Sequence, residues 1–299
     1  MTSRIFLTPA PRAPLPAWLD RELRFDPAGL LRFCVGERPV GWVLPELARR
    51  LTRWPEVFSV AQDRVSFSPG LDSAATRSLA IAEVLQRLRE DGVVTGWRDE
   101  AYRVPPRGAQ GGAAGPELFR MERAARKLFG IESHASHLNG LVRTPRGLAM
   151  WIARRSATKS VDPDRLDNIV AGGIAAESNA WATLLKECGE EAGIPEELAR
   201  QAKRCGTLRF RRRDPEGVDA QRIELFDLEL PEDFVPVNRD GEVAEFRRMD
   251  VDEVSRQMQR PGEFTVDAAL VAGECLGRCL TSRAGGGQGD GRDSTTGEH

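Results

Sequence analysis

Residues 105–116, PPRGAQGGAAGP, hold four glycines and three prolines and no large apolar side chain. Such a stretch cannot enter a packed core, because it has nothing apolar to bury and its backbone is biased towards turns. It therefore points to two bodies joined by a linker, the organisation that a length of 299 residues also suggests. The boundaries expected from it are a loose, proline-rich lead-in over 1–17, an N-terminal α/β domain over 18–104, the linker 105–116, and a second domain over 117–281. The closing stretch 282–299, SRAGGGQGDGRDSTTGEH, has almost no apolar content and is expected to be disordered.

Local patterns fill in both bodies. LLRFCV and PVGWVL read as strands separated by GER, and PELARRLTRW as a helix. DSAATRSLAIAEVLQRLREDG predicts a longer helix, with Asp72 or Ser73 as cap, Leu79, Ile81, Val84, Leu85 and Leu88 as its apolar stripe, and Gly92 as its stop. After the linker, ELFRMERAARKLFG reads as a connecting helix that ends at Gly130. HASHLNGLV and LAMWIARR then flank RTPRG as a hairpin. TLRFRRR, QRIELFDLEL and AEFRRM follow as strands, and two closing helices are expected near 250–259 and 264–280.

Composition excludes several classes of function. With 43 basic and 45 acidic residues, the net charge of −2 argues against a general electrostatic role on nucleic acid. No apolar run approaches the roughly 18–20 residues needed to span a bilayer. The start, MTSRIFLTPAPRAPLPAW, shows no continuous apolar core of a signal peptide, so the expected compartment is the cytoplasm. Five scattered cysteines without a CxxC, beside three histidines, leave little material for a zinc site; reduced, mostly buried thiols are expected.

The chemistry is concentrated in GGIAAESNAWATLLKECGEEAGI, residues 172–194. On a wheel of about 100° per residue, Trp181, Leu184, Leu185, Cys188 and Ala192 cluster as a core-facing stripe. Glu187, Glu190 and Glu191 share a separate sector. Asn179 is the expected N-cap and Gly193 the left-handed residue that ends the helix. Acidic residues away from a core stripe can be a solvated face. Against that, these three lie in the C-terminal half, where the helix dipole disfavours negative charge, and only Lys186 is near enough in sequence to offset them. A hard divalent cation is the alternative neutraliser.

The spacing resembles the box of the Nudix hydrolases: Gly, five residues, Glu, seven residues, then Arg-Glu-apolar-x-Glu-Glu-x-Gly-apolar. Here it reads Gly172, Ser178, then Lys186-Glu187-Cys188-Gly189-Glu190-Glu191-Ala192-Gly193-Ile194. The resemblance implies an α/β fold, a Nudix α/β/α sandwich with a mixed sheet, preceded here by the small α/β domain. It implies that Glu187 and Glu191 ligate a metal, Mg²⁺ or Mn²⁺, with Glu190 as a further ligand or helper. Gly172, Gly173, Lys186 and Gly193 would form the structural part of the box. Two positions depart from the pattern: Ser178 stands for the box Glu, with Glu177 one residue earlier, and Lys186 stands for its Arg. In the family those two positions brace the loop against the helix.

HLNGLV, WIARRSATK, LDNIVAGGIAA, FDLELPEDFVP, DGEVAEFRRM and the upstream GERPVGWVLPELARRLTRWPEVF resemble one branch, related to the Nudix part of fungal thiamine pyrophosphokinases. The resemblance implies cleavage of thiamine diphosphate, or of its oxidised forms, to the monophosphate. The chain diverges from that branch at SVDPDR, residues 160–165, and at Phe226. Arg154, Arg155 and Lys159 form a basic cluster before the box that suits a diphosphate, or else a solvated strand end. Asp167 and Asn168 are expected to fix the glycine loop. Glu242, ahead of Glu245, is the candidate late acidic group, and Glu190 or Glu242 the candidate general base. His134 and His137 are expected to be ordinary strand residues. The expected partner is a small-molecule diphosphate substrate, without nucleic acid or membrane, and a homodimer is the assembly allowed for. Hydrolysis of nucleoside diphosphate derivatives such as ADP-ribose, or non-catalytic ligand sensing, are the competing readings.

Overall fold

A computed structural model describes residues 4–5, 7–8, 14–106, 116–159 and 161–285. The linker centre, 107–115, and the last residues, 286–299, lie outside the described residues.

The chain opens with two short strands, β1 (Arg4–Ile5) and β2 (Leu7–Thr8), then helix α1 (Ala17–Glu22) and β3 (Arg24–Phe25), which pairs with β1. The first body follows: β4 (Leu31–Val35), β5 (Arg38–Val43), α2 (Pro45–Leu51), β6 (Phe58–Val60), β7 (Arg64–Phe67) and α3 (Ala74–Glu90). Its sheet runs β5-β4-β7-β6, with β4 and β7 parallel. Five phenylalanines, Phe33, Phe58, Phe67, Phe119 and Phe129, centre its core, with Phe33 packed 5.0 Å from Phe129 and 5.5 Å from Phe67. Ser73 caps α3 by accepting the Thr76 N–H. Ile81, Val84, Leu85 and Leu88 are buried as expected, but Leu79 is 70% exposed. It stands two residues before Ile81, which places it on the opposite side of the helix from the i, i+3, i+4, i+7 stripe.

The expected helix over 117–130 does not form. In its place are strand β9 (Phe119–Glu122) and a 3₁₀ turn over Arg123–Ala125. β9 pairs antiparallel with β8 (Ala101–Val104) across the glycine-rich segment, Val104 opposite Phe119 and Ala101 opposite Glu122. Phe119 and Met121 are buried while Arg120 between them is not, so the segment carries the two-residue period of a strand. Residues 117–131 therefore pack into the first core through Phe119, Met121, Ala125, Phe129 and Ile131. The segment 105–116 interrupts that body, where it was expected to end it.

The second body is built on β10 (Glu132–Thr144) and β11 (Gly147–Arg155), the expected hairpin. It continues with β12 (Leu166–Asn168), β13 (Val170–Gly173), α4 (Ala180–Glu191), α5 (Glu196–Ala199), β14 (Lys203–Asp214) and β15 (Gly217–Glu229). Strand β16 (Val243–Asp250), α6 (Val251–Met258) and α7 (Val266–Gly285) complete it. The eight-stranded sheet runs β12-β11-β10-β15-β14-β2, with β13 beside β10 and β16 beside β11. β10 and β15 are parallel and the other pairs antiparallel, which makes the sheet mixed. Leu138, Val142, Phe226 and Leu228 pack on one face with Leu184 and Cys188 of α4. Met150, Ile152, Ile223 and Leu225 pack on the other with Val254 of α6 and Leu270 of α7. The result is the expected α/β/α sandwich with a mixed sheet. α7 runs on to Gly285, into the stretch from Ser282 expected to be disordered.

The arginine-rich hairpin β14–β15 is accommodated by paired carboxylates. Buried Asp219 accepts from Arg126 at 3.1 Å and from Arg212 at 3.2 Å, and buried Glu224 accepts from Arg204 and Arg222 at 3.0 and 3.1 Å. All five cysteines are free thiols, three of them buried. Among the described residues no helix is long and apolar enough to cross a membrane.

Within the first body, the Trp42 N–H donates to the Phe129 carbonyl at 2.9 Å. Gly130 follows at φ +58°, and a β-carbon there would lie 2.6 Å from the Trp42 nitrogen and 2.7 Å from its carbonyl oxygen. Gly36 has a similar φ, +57°, with open space around it. Gly36→Ala is expected to cost only the left-handed backbone term, about 1–2 kcal/mol. Gly130→Ala should add an overpacking term and lose about 2–5 kcal/mol. Urea denaturation midpoints of the two variants measure the difference.

Candidate metal centre

The site begins where β13 leaves the sheet. Gly172 and Gly173 end the strand, residues 174–179 turn, and Asn179 caps α4 by accepting the Ala182 N–H at 2.9 Å. Leu184, Cys188 and Ala192 are fully buried against the sheet, and Trp181 and Leu185 are partly buried. That packing fixes the rotation of the helix, and so it fixes where the glutamates point. Glu187 lies over Gly172, where a β-carbon would fall inside the Glu187 side chain. Glu191 turns in beneath it, only 6% exposed, and its Oε2 accepts the Ala171 N–H at 2.8 Å. Glu190 remains at the rim, with its side chain 48% exposed.

The end of α4 is closed by a distant loop. Gly193 adopts φ +61°, and the Ile194 N–H returns to the Cys188 carbonyl at 2.9 Å. Two further end carbonyls, those of Glu190 and Ala192, accept the N–H groups of Arg239 and Val237, both at 3.0 Å. A side chain at Gly193 would meet the Val237 carbonyl at 2.9 Å. The same loop then turns tightly. Asn238 Oδ1 accepts from Asp240 and Gly241 at 3.3 and 3.2 Å, and Asp240 Oδ1 accepts the Glu242 N–H at 2.8 Å. The turn delivers two more acids to the helix. Oxygens of Glu187, Glu190 and Asp240 lie within 4.8 Å of one another, and so do those of Glu191, Asp240 and Glu242.

Asp240 belongs to both groups and was not among the expected residues. Its signal was the Asp-Gly pair of DGEVAEF, which marks a turn, two residues before the acid that was expected. Glu245, the other late candidate, is directed elsewhere and pairs with Arg154 and Arg247.

The basic cluster divides. Lys159 Nζ hydrogen-bonds the Glu242 carboxylate, and the Ser156 N–H holds the Glu242 carbonyl at 2.9 Å. Arg155 Nη1 donates to buried Asp167 at 2.8 Å, and its other donors hold the Val161 and Asp162 carbonyls. Arg154 binds Glu245 at 2.8 Å and the Asp164 carbonyl at 2.5 Å, and is not grouped with the acids of α4. Lys186 pairs with Glu190 at 2.7 Å and with Glu187 at 3.3 Å. At the departing box position, Ser178 Oγ lies 2.9 Å from Thr183 Oγ1, and neighbouring Glu177 pairs with Arg120 at 2.7 Å. Asp167 and Asn168, expected to fix the glycine loop, bond instead to Arg155 and to β10, Asn168 through His137 Nδ1 at 2.8 Å and Asn139 at 3.1 Å. His137 is a buried strand residue, and His134 lies 3.6 Å from Glu132.

The electrostatics divide the acids as well. Burial pushes the Glu191 carboxyl well above its ordinary range, and Asp167 and Glu187 push it further, against the Ala171 N–H and Lys159. Burial also raises Glu187, with Lys186 opposing. At Glu242 burial acts in the same direction, but the Lys159 hydrogen bond and the charges of Lys159, Arg155 and Arg98 outweigh it and hold the carboxyl below its usual range. Five carboxylates converge here, and the most buried of them is not ion-paired among the described contacts. That all-oxygen donor set fits a hard divalent cation, which would supply the missing positive charge.

Residues 137–270 match the NUDIX domain family model, and residues 20–133 match a domain of unknown function, DUF4743. Nudix hydrolase 24, chloroplastic, of Arabidopsis thaliana is 34% identical over 241 residues, covering 80% of this chain and 65% of that protein. Nudix hydrolase 20, chloroplastic, of the same plant is 34% identical over 248 residues with the same coverage. The chain thus spans a little under two thirds of the length of these relatives. Among solved structures, the NUDIX domain of Shewanella oneidensis NrtR complexed with ADP ribose aligns with a TM-score of 0.40 at 14% identity, covering 53% of this chain and 99% of that one. The domain match and the Nudix hydrolase relatives support the Nudix family for the second body.

A carboxyl whose ionisation is opposed in the folded state favours folding fully below its ordinary range, and that contribution is lost as pH rises through the raised value. Chelator-treated protein is therefore expected to lose thermal stability between pH 5 and pH 8. Glu191→Gln removes the charge but keeps an acceptor for Ala171, and should lose less over the same interval. Added Mn²⁺ at about 100 times its Kd should stabilise the parent by about 2.7 kcal/mol, and the variant by much less. Thermal melts at the two pH values, with chelator and with metal, report both effects.

Proposed function

We propose that this protein is a Mg²⁺-dependent diphosphate hydrolase of the Nudix type that cleaves thiamine diphosphate, or its oxidised forms, to the monophosphate and phosphate. The observation that carries the hydrolase reading is the convergence of Glu187, Glu190 and Glu191 with Asp240 and Glu242 from a separate loop. Support for the substrate comes from the sequence resemblance over HLNGLV, LDNIVAGGIAA, FDLELPEDFVP and DGEVAEFRRM.

Glu187, Glu191 and Asp240 would hold the metal, with Glu190 and Glu242 completing its surroundings. The bound cation would supply positive charge to the diphosphate oxygens and to the water that attacks a phosphorus as the bridging P–O bond breaks. The residues themselves do the rest. Lys159, already seated on Glu242, is the cation placed to meet a phosphate oxygen, and Arg155 fixes the segment that carries it through Asp167. Glu242, held ionised by these charges, or Glu190 at the rim is placed to accept the proton of the attacking water. Gly172 leaves the room in which Glu187 lies, and burial of Glu191 keeps bulk water from the inner side of the cluster.

Glu191→Gln is expected to abolish metal-dependent turnover while the protein remains folded. A phosphate-release panel with Mg²⁺, across thiamine diphosphate, its oxidised forms, ADP-ribose and nucleotide sugars, tests both levels of the proposal. Release from the thiamine compounds that disappears in Glu191→Gln supports it. Preferential turnover of ADP-ribose would replace the substrate but keep the hydrolase, and full activity in Glu191→Gln would sink the assignment altogether.

A further inference from the structure

The first body reaches the site at the paired glycines of β13. Side chains alternate across a strand, so Gly172 and Gly173 face opposite sides. On one side the space above Gly172 holds Glu187. On the other, the space that a Gly173 side chain would fill holds the Arg123 guanidinium. The strand is thus enclosed between a ligand candidate of α4 and an arginine from the first body.

Arg123 is itself held in place. Its Nη1 donates to both Glu100 oxygens, at 2.8 and 2.9 Å, and its backbone N–H donates to the Glu100 carbonyl at 3.0 Å. The neighbouring Glu122 is 8% exposed, and its carboxylate accepts the N–H groups of Arg98, Glu100 and Ala124 at 3.1, 3.2 and 3.0 Å. Segments 98–100 and 122–124 are therefore locked to each other. Three positions before Arg123, Arg120 of β9 pairs with Glu177 in the turn that leads into α4. The charge of Arg98 reaches Glu242 on the far loop.

We propose that Arg123 is a positioning residue of the metal centre, holding the Gly172–Gly173 strand against Glu187 from the opposite face, while Arg120 fixes the following turn through Glu177. The DUF4743-type body is on this view a structural part of the site. The proposal rests on the hydrolase reading above. Its physical basis is that two successive glycines have wide backbone freedom, which pairing with β10 limits along the strand and the occupants of the two faces limit across it. A planar guanidinium already oriented by Glu100 fills such a space without further ordering. Groups that orient metal ligands typically contribute 10–100-fold in affinity.

The test is Mn²⁺ binding to the full chain without substrate, titrated by electron paramagnetic resonance, beside metal-free melting curves. The parent is expected to bind Mn²⁺, and Glu191→Gln to lose that binding. Arg123→Ala should bind about 10–100-fold more weakly. Arg120→Ala and Glu177→Ala, both at more exposed positions, should each weaken binding in the same direction with little change in metal-free melting, and their combination should add no further loss. If Arg123→Ala does not fold, the Arg120 and Glu177 variants decide the outcome. Parental Mn²⁺ affinity in every folded variant of Arg123 and Arg120 overturns the proposal. Undiminished binding in Glu191→Gln would instead locate the metal elsewhere and refute the hydrolase reading.

Discussion

Two backbone hydrogen bonds, from Arg239 to the Glu190 carbonyl and from Val237 to the Ala192 carbonyl, hold the candidate site together. A helix end leaves carbonyl groups without partners, and a buried end must find them elsewhere. In α4 the partners come from a loop almost fifty positions later in the chain. Because that loop turns immediately after Asn238, satisfying the helix end also brings Asp240 and Glu242 to the glutamates. One structural requirement thus assembles the five acids, and the charge they concentrate creates the need for a cation.

The same economy appears at the other end of the box. Gly172 and Gly173 carry no side chains because both positions are taken, one by Glu187 and the other by Arg123. Gly193 is constrained twice, by φ +61° and by the nearby Val237 carbonyl. Glu191 alone among the acids is sealed in, and its one backbone donor, Ala171, belongs to the strand that the glycines terminate. Strand end, helix and late loop are in this way mutually dependent.

The first body is joined to this arrangement at several points. Arg126 pairs with Asp219 and Lys127 with Asp214 in the β14–β15 hairpin, and Arg123 stands behind Gly173. The chain then passes without a break from Ile131 into β10, the strand that pairs with β13 and β15. Any displacement of the first body is therefore felt at the central strand of the second.

Much of this was legible in the sequence, for identifiable reasons. The stripe Leu184, Cys188 and Ala192 and the caps Asn179 and Gly193 follow from helical periodicity and local backbone preference, which depend only on near neighbours. The box spacing located Glu187, Glu190 and Glu191, and the late acid was placed at Glu242. What failed was local pattern in segments whose partner is distant. ELFRMERAARKLFG has good helix formers, yet pairing with β8 and the burial of Phe119 and Met121 make it a strand and a turn. The linker's composition showed that it would stay out of the core, but not that the strands on either side of it would pair. Arg154, Arg155 and Lys159 formed one basic cluster in the sequence, and the structure gave them three different carboxylates. The sequence alone determined the helix, its caps and the spacing of its acids, because these depend on residues a few positions apart. Only the tertiary structure decided that Asp240 joins them and that Arg123 stands behind Gly173, because contacts across tens of residues are set by packing and leave no local period to read.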